Sequence, residues 1–257
     1  MKLRYDDSVE EFRVELLDWL AANRPTPEEM AADPSVSTGH APGWARRWTR
    51  AMFDAGWLVP GWPPELGGRS AGPIETLVYL EELAKARIRT TNVQGLGIVA
   101  PSIIDYGRPD QVADYAMPIL HGEATACLGM SEPDAGSDLA SLKTRAVLEG
   151  DAETGQWVID GQKVWTSGAN YADFCFLFCR TEPDQPSTRA SRSCWCRCRR
   201  RGSRCGRCPR SSTPTSPTST RCSSTRCGCR PPTWSASGAT GGPWPTARWP
   251  TSAAWCG

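Results

Sequence analysis

Two short stretches carry residue types that could do chemistry. The first is CLGMSEPDAGSDLASLKT, Cys127–Thr144. Its apolar opening reads as a strand that runs into a loop carrying Gly136, Ser137 and Asp138. Glycine lets a backbone approach a ligand closely, and exposed N–H groups beside a serine hydroxyl suit a phosphate. An ordinary polar turn uses the same letters. The second stretch, DGQKVWTSGANYADF at 160–174, puts Trp165, Thr166 and Ser167 at a strand end. A tryptophan there can stack on a planar ring while neighbouring hydroxyls donate hydrogen bonds, although a core tryptophan with a capped turn reads alike.

The elements that must position these stretches change style along the chain. Ser8-x-x-Glu11 reads as a capping box opening an amphipathic helix, with Val9, Phe12, Leu16 and Leu20 on one face and an end near Asn23-Arg24-Pro25. A second helix is expected over Trp44–Ala55, stopped by Gly56, and VPGWPPELGGRSAG is Pro/Gly loop. Helical patterns follow at Ile74–Arg87, Asn92–Tyr106 and Pro109–Leu120, broken at Gly107 and Gly122. From Glu123 onward the runs TACLGMS, LKTRAVLEG, QWVIDGQKVWT and FCFLFCRT are strand-like, with Asp160-Gly161 read as a hairpin and Asp151–Gly155 as a further turn. The expected fold class is α+β: an N-terminal all-α helical domain over 1–122, an incomplete middle β-barrel-like domain over 123–186, and an aberrant disordered tail over 187–257.

That tail is unlike the rest. The net charge of +1 conceals −12 on residues 1–186 and +13 on residues 187–257, where 13 Arg, no Lys and no Asp or Glu occur. Nine of the twelve cysteines lie there too. The segment uses only Ser, Thr, Arg, Ala, Cys, Trp, Gly and Pro, and cannot bury a core by ordinary means. A zinc module would use pairs such as Cys205-x-x-Cys208, but the other spacings are irregular and no His follows. An Arg-rich arm could bind phosphates. The genetic code offers a third reading. All eight amino acids have G or C at the second codon position, which a GC-rich gene yields when read one base late. An unbroken run of 71 such residues has a chance below about one in 10^20 if they fill half of ordinary positions. On that reading the frame is lost near Pro186, and Cys194-Trp195-Cys196 conceals an apolar strand.

Three motifs taken together, PGWPPELGG at 60–68, LGMSEPDAGSDLA at 128–140 and DGQKVWTSGANYAD at 160–173, resemble the acyl-CoA dehydrogenase family over essentially all of 1–186. The resemblance implies FAD held by the middle domain. Leu128, Met130 and Ser131 match positions lining the flavin, and Gly136 and Ser137 match the loop beside the pyrophosphate, with Ser137 also beside the acyl-CoA pantetheine. Trp165, Thr166 and Ser167 match the tryptophan flanking the flavin and the hydroxyl at its reactive edge. It further implies α,β-desaturation of an acyl-CoA to a trans-2-enoyl-CoA, an electron-transferring flavoprotein as acceptor, and a homo-oligomer built on C-terminal helices. The family's catalytic glutamate belongs to that C-terminal domain, so no catalytic residue is assigned here and the chain is expected to be inactive as it stands.

Competing readings are a nucleic-acid- or zinc-binding protein built on the tail, and an acyl-CoA oxidase-type relative. Glu81 and Glu82 are expected on a solvated helix face, Glu123 at a domain junction and Glu132 in a structural turn. His40 and His121 read as surface or capping residues, and no metal site is expected. With no apolar signal-like start, no membrane-length apolar run and three scattered cysteines in 1–186, a cytoplasmic protein without membrane or nucleic-acid partners is expected.

Overall fold

The N-terminal residues become helical where an apolar stripe meets acidic residues. In the computed structural model, which describes residues 5–88, 91–149, 156–181, 191–197, 203–207 and 220–225, helix α1 spans Asp7–Asn23. Asp6 takes the N-cap position with extended backbone and makes no side-chain cap. Ser8 therefore lies inside the first turn, and the expected capping box does not form. Asp7 and Glu10 meet the positive helix end instead, and the helix begins two residues earlier than expected. A capping box does form at a short helix that its flanking prolines disguise in the sequence. Thr26 Oγ1 accepts from Glu29 N at 3.2 Å and Thr26 N donates to Glu29 Oε2 at 3.1 Å, opening α2 at Pro27–Ala32.

Helices α3, Gly43–Asp54, and α4, Pro73–Ala86, complete the first core with α1. Leu16, Leu20, Trp48, Met52, Trp57 and Tyr79 meet there. Trp57 is 1% exposed, touches Phe12 edge-on at 5.1 Å and carries the Arg69 guanidinium 3.6 Å from its ring centroid. Glu82 is not on a solvated face: it is buried, 2.7 Å from Lys85 Nζ and 3.5 Å from Arg13 Nε of α1. The α1–α4 contact covers it, and two cations neutralise it.

Two prolines shape the next helices. A π turn at Gly95–Val99 leads into α5, Ala100–Tyr106, which holds Pro101. After α6, Pro109–Gln111, a second π turn at Val112–Ala116 leads into α7, Met117–Leu120, which holds Pro118. Proline offers no N–H to the ladder, and a wider turn just before it accommodates the break. Asn92, expected to open this helical stretch, instead precedes it in a left-handed conformation with φ 50.

The strands are β1 Ala126–Gly129, β2 Arg145–Glu149, β3 Gln156–Lys163, β4 Phe174–Arg180, β5 Ser191–Arg197, β6 Ser203–Arg207 and β7 Thr220–Thr225. They form one partial curled sheet. β1 runs parallel to β4 with Leu128 opposite Phe176, and β2 runs antiparallel to β3 with Val147 opposite Val158. Three segments of the stretch expected to be disordered are therefore strands: β5 pairs along β4, and β6 pairs with β7, which pairs with β3. The remainder of 187–257 lies outside the described residues, as does the turn at Asp151–Gly155.

Asp160-Gly161 is not a hairpin turn but the interior of β3, with Asp160 opposite Arg145. A Cβ at Gly161 would sit 2.6 Å from Thr144 Cα, so glycine is needed there for close approach of a neighbouring chain.

The helices and the sheet share a second core. Phe176 of β4 packs with Val99, Ile103, Ala116, Ile119, Leu120 and Ala126. Asn92, 4% exposed, ties the two parts: its Nδ2 donates to Ala124 O at 3.2 Å and its Oδ1 accepts from Ala126 N at 3.0 Å. Arg46 of α3 donates to Glu123 O at 2.6 Å, and Asp173 Oδ2 accepts from Thr125 N at 3.0 Å. No helix among the described residues is long and apolar enough to cross a membrane.

Candidate functional site

The two chemistry-bearing stretches meet where β1 and β3 end. Val164 N donates to Ser131 O at 2.9 Å, which brings Met130 and Ser131 beside the segment that carries Trp165, Thr166 and Ser167. Below this junction lies a buried ion pair that sequence reasoning missed. Lys163, 2% exposed, donates from Nζ to Glu132 Oε1 at 2.8 Å and to Met130 O at 2.9 Å. Glu132, 6% exposed, also accepts from Lys143 N at 2.6 Å and Thr144 N at 2.9 Å. Burial pushes the Glu132 carboxyl upward, but the hydrogen bonds from Lys163, Thr144 and Lys143 outweigh it and hold the group at about 2. Burial lowers Lys163 below its ordinary value, against the pull of Glu132 in the other direction. The structural reading of Glu132 is right, yet its partner lies 31 residues away and no local spacing announces it.

Trp165 occupies an unusual place. It is 70% exposed and sits in the left-handed region with φ 59, a conformation that costs a non-glycine residue free energy. Thr166 beneath it is fully buried, and its carbonyl accepts from Ala169 N at 3.3 Å. Ser131 and Ser167 are half-buried. Leu128 leans on the core around Phe176, and Met130 is half-buried.

Gly136 and Ser137 lie exposed on the loop after Glu132, a loop closed by Glu132 N donating to Ala135 O at 2.7 Å. A Cβ at Gly136 would find nothing within 4 Å. On the other flank the chain turns at Gly168, with φ 76, directly against Gly39 of the helical part. His40 stacks near Tyr171 at 4.8 Å, and His121 packs edge-on against Phe53 at 4.5 Å. Among the described residues no group of three or more His, Cys, Asp and Glu could hold a metal ion.

Comparison with known proteins follows the same division. The profile of the acyl-CoA dehydrogenase N-terminal domain matches residues 8–123, and that of the acyl-CoA dehydrogenase middle domain matches residues 127–211. The chain belongs to the acyl-CoA dehydrogenase family. Membership makes it kin to oxidoreductases, and both candidate motifs fall within the middle-domain match.

Acyl-CoA dehydrogenase IpdE1 of Mycolicibacterium smegmatis is 40% identical over 189 residues, covering 68% of this chain and 47% of that protein. The solved structure of the Tcur3481-Tcur3483 steroid ACAD is similar at TM-score 0.68 and 31% identity, over 89% of this chain and 57% of that one. The ChsE4-ChsE5 complex from Mycobacterium tuberculosis is similar at TM-score 0.66 and 30% identity, over 90% of this chain and 58% of that one. This acyl-CoA dehydrogenase chain thus spans about half the length of the curated relatives it matches.

Proposed function

We propose that the chain binds FAD along the edge made by Met130, Ser131 and Val164–Ser167, in the service of acyl-CoA α,β-desaturation to a trans-2-enoyl-CoA. Trp165 carries this reading. A large ring held in water at 70% exposure, on a strained backbone, is what a stacking platform for a planar ligand needs. Gly136 adds to it. Among the described residues nothing lies within 4 Å of a Cβ built there, so no packing contact calls for glycine, whereas a ligand lying against the backbone would.

The residues present fit the cofactor. Trp165 would flank the isoalloxazine, with Leu128 and Met130 beside it and Ser131 and Ser167 offering hydroxyls. Thr166, fully buried, would act from beneath by fixing the turn through its carbonyl. Gly136 and Ser137 would take the pyrophosphate, and Ser137 the pantetheine of the substrate. FAD supplies the two-electron oxidising capacity, and hydroxyl donors at its edge favour the charge that builds there. No base is assigned among the described residues: Glu132 is held by Lys163, and Glu82 by Lys85 and Arg13. An electron-transferring flavoprotein is the proposed acceptor.

The test is titration of the 257-residue chain with FAD, followed by quenching of flavin fluorescence. Trp165→Gly is expected to raise the dissociation constant about tenfold, the equivalent of roughly 1.4 kcal/mol of lost stacking. Its melting temperature should not fall, since glycine adopts a positive φ freely. Equal affinity in the two proteins would remove Trp165 from the site.

We also propose that residues 187–257 are read out of frame from near Pro186, as their restriction to eight amino acids supports. The family match that continues to residue 211, and β5 lying along β4, weigh against a break so early. Sequencing the gene across codons 180–190 decides. A one-base change that restores an open frame with Leu-Val in place of Trp195-Cys196 would establish the shift, whereas a base sequence whose neighbouring frame encodes no such apolar run would end the idea.

A further inference from the structure

We infer that Glu132 and Lys163 are positioning residues that lock the flavin-facing edge, an inference that rests on the FAD reading above. Apart from the bond between them and a contact of Glu132 with the Thr144 side chain, their hydrogen bonds run to the backbone of two separate chain segments. Lys163 holds Met130 O at 2.9 Å, and Glu132 holds Lys143 N at 2.6 Å and Thr144 N at 2.9 Å. Lys163 itself ends β3, one residue before the bond from Val164 N to Ser131 O. Three stretches of chain, at 130–132, 143–144 and 163–164, are thus tied to one pair of charges. They are the stretches from which Ser131, the Gly136–Ser137 loop and Trp165 depart.

Stability alone is a poor reason for such a pair. Replacing a buried ion pair by apolar groups of similar volume is often neutral or favourable, because both charges must leave water. Apolar side chains cannot, however, hold a carbonyl and two N–H groups at fixed places. Groups that grip a ligand must stay within about 0.5 Å of their working geometry, and they do so through supporting hydrogen bonds. Packing around the pair fits that role. A Cβ at Gly129 would lie 2.9 Å from Leu177 Cδ1, 3.1 Å from Cys175 Sγ and 3.5 Å from Lys163 Cγ, so the β1 end is packed tightly on β4 with the lysine stem at ordinary contact distance. Removing the charges therefore loosens the edge even where the fold survives.

The experiment compares the full chain with Lys163→Met, Lys163→Arg and the double variant Glu132→Gln/Lys163→Met. Three readouts are taken: melting temperature, amide hydrogen exchange over 128–144 and 160–168, and FAD affinity by fluorescence quenching. In the double variant the melting temperature is expected to stay near that of the parent. Exchange in both segments and the FAD dissociation constant should each rise about tenfold, the size typical of lost supporting partners. Lys163→Arg, which keeps the charge, should recover part of the affinity relative to Lys163→Met.

Parent-like exchange and parent-like affinity in the double variant would overturn the inference, leaving the pair a role in folding only. Should that variant not fold, Glu132→Gln alone, nearly isosteric, is measured by the same three readouts, and parent-like values there overturn the inference equally. If the unaltered chain takes up no FAD, the FAD reading fails by itself. The exchange data then still decide whether the pair holds the edge.

Discussion

Asn92→Leu is expected to lose about 3–8 kcal/mol of folding stability, measured by urea unfolding. The side chain is 4% exposed and satisfies Ala124 O and Ala126 N at 3.2 and 3.0 Å. Leucine leaves both backbone groups buried and unpaired, at about 1–3 kcal/mol each. It also inherits φ 50, which asparagine tolerates and leucine does not, at about 1–2 kcal/mol. The site cannot easily relax, because a Cβ at Gly95 would already lie 2.3 Å from Asn92 Oδ1: the next helix is pressed onto this side chain. Asn23 is the control. It is exposed and its side chain donates to Trp19 O within its own helix, so Asn23→Leu should stay within about 0.5 kcal/mol. Similar losses at the two positions would mean that Asn92 does not tie the helices to the sheet.

Gly168→Val should cost about 2–5 kcal/mol by the same measurement. The backbone there has φ 76, and a Cβ would sit 2.5 Å from Gly39 Cα, an overlap with main chain rather than with a flexible side-chain tip. Left-handed strain contributes about 1–2 kcal/mol and overpacking about 1–3. The damage is also directional. Relief requires the 37–40 loop and the 165–168 turn to separate, which opens the contact between His40 and Tyr171 and carries Trp165 with it. FAD affinity should therefore fall together with stability. Gly136→Ala makes the contrast: with nothing within 4 Å its stability should stay within about 0.5 kcal/mol, so any lost affinity would come from the ligand's side. Parent-like stability in Gly168→Val would show that the two glycines are not in required contact.

Much of the helical part is legible in sequence because its signals are local. The α1 stripe of Val9, Leu16 and Leu20 is buried as its spacing predicts, and the helix ends at Asn23. Thr26-x-x-Glu29 is an equally local signal, but Pro25 and Pro27 give its surroundings the look of a loop. Errors arise where a residue's meaning depends on a distant neighbour. Asp160-Gly161 has turn letters, but Thr144 lies against the glycine and makes it strand. Glu82 has the letter of a solvated face, but Arg13 lies on another helix. The candidate site divides in the same way. Trp165, Ser131 and Gly136 stand out by type and context, whereas Lys163, Gly39 and Gly168 acquire roles only when chain segments far apart meet.

The core around Phe176 joins residues of the N-terminal family match to residues of the middle-domain match. The two are separate in ancestry but not in melting. Heating should produce one calorimetric transition rather than two, because unfolding either part strips apolar cover from the other. A ligand that touches only the sheet would then protect the helices as well. At a concentration of one hundred times its dissociation constant it would add about 2.7 kcal/mol to the stability of both. Cofactor supply would in that case set how long the whole chain survives heat or a protease, and not only whether it can react.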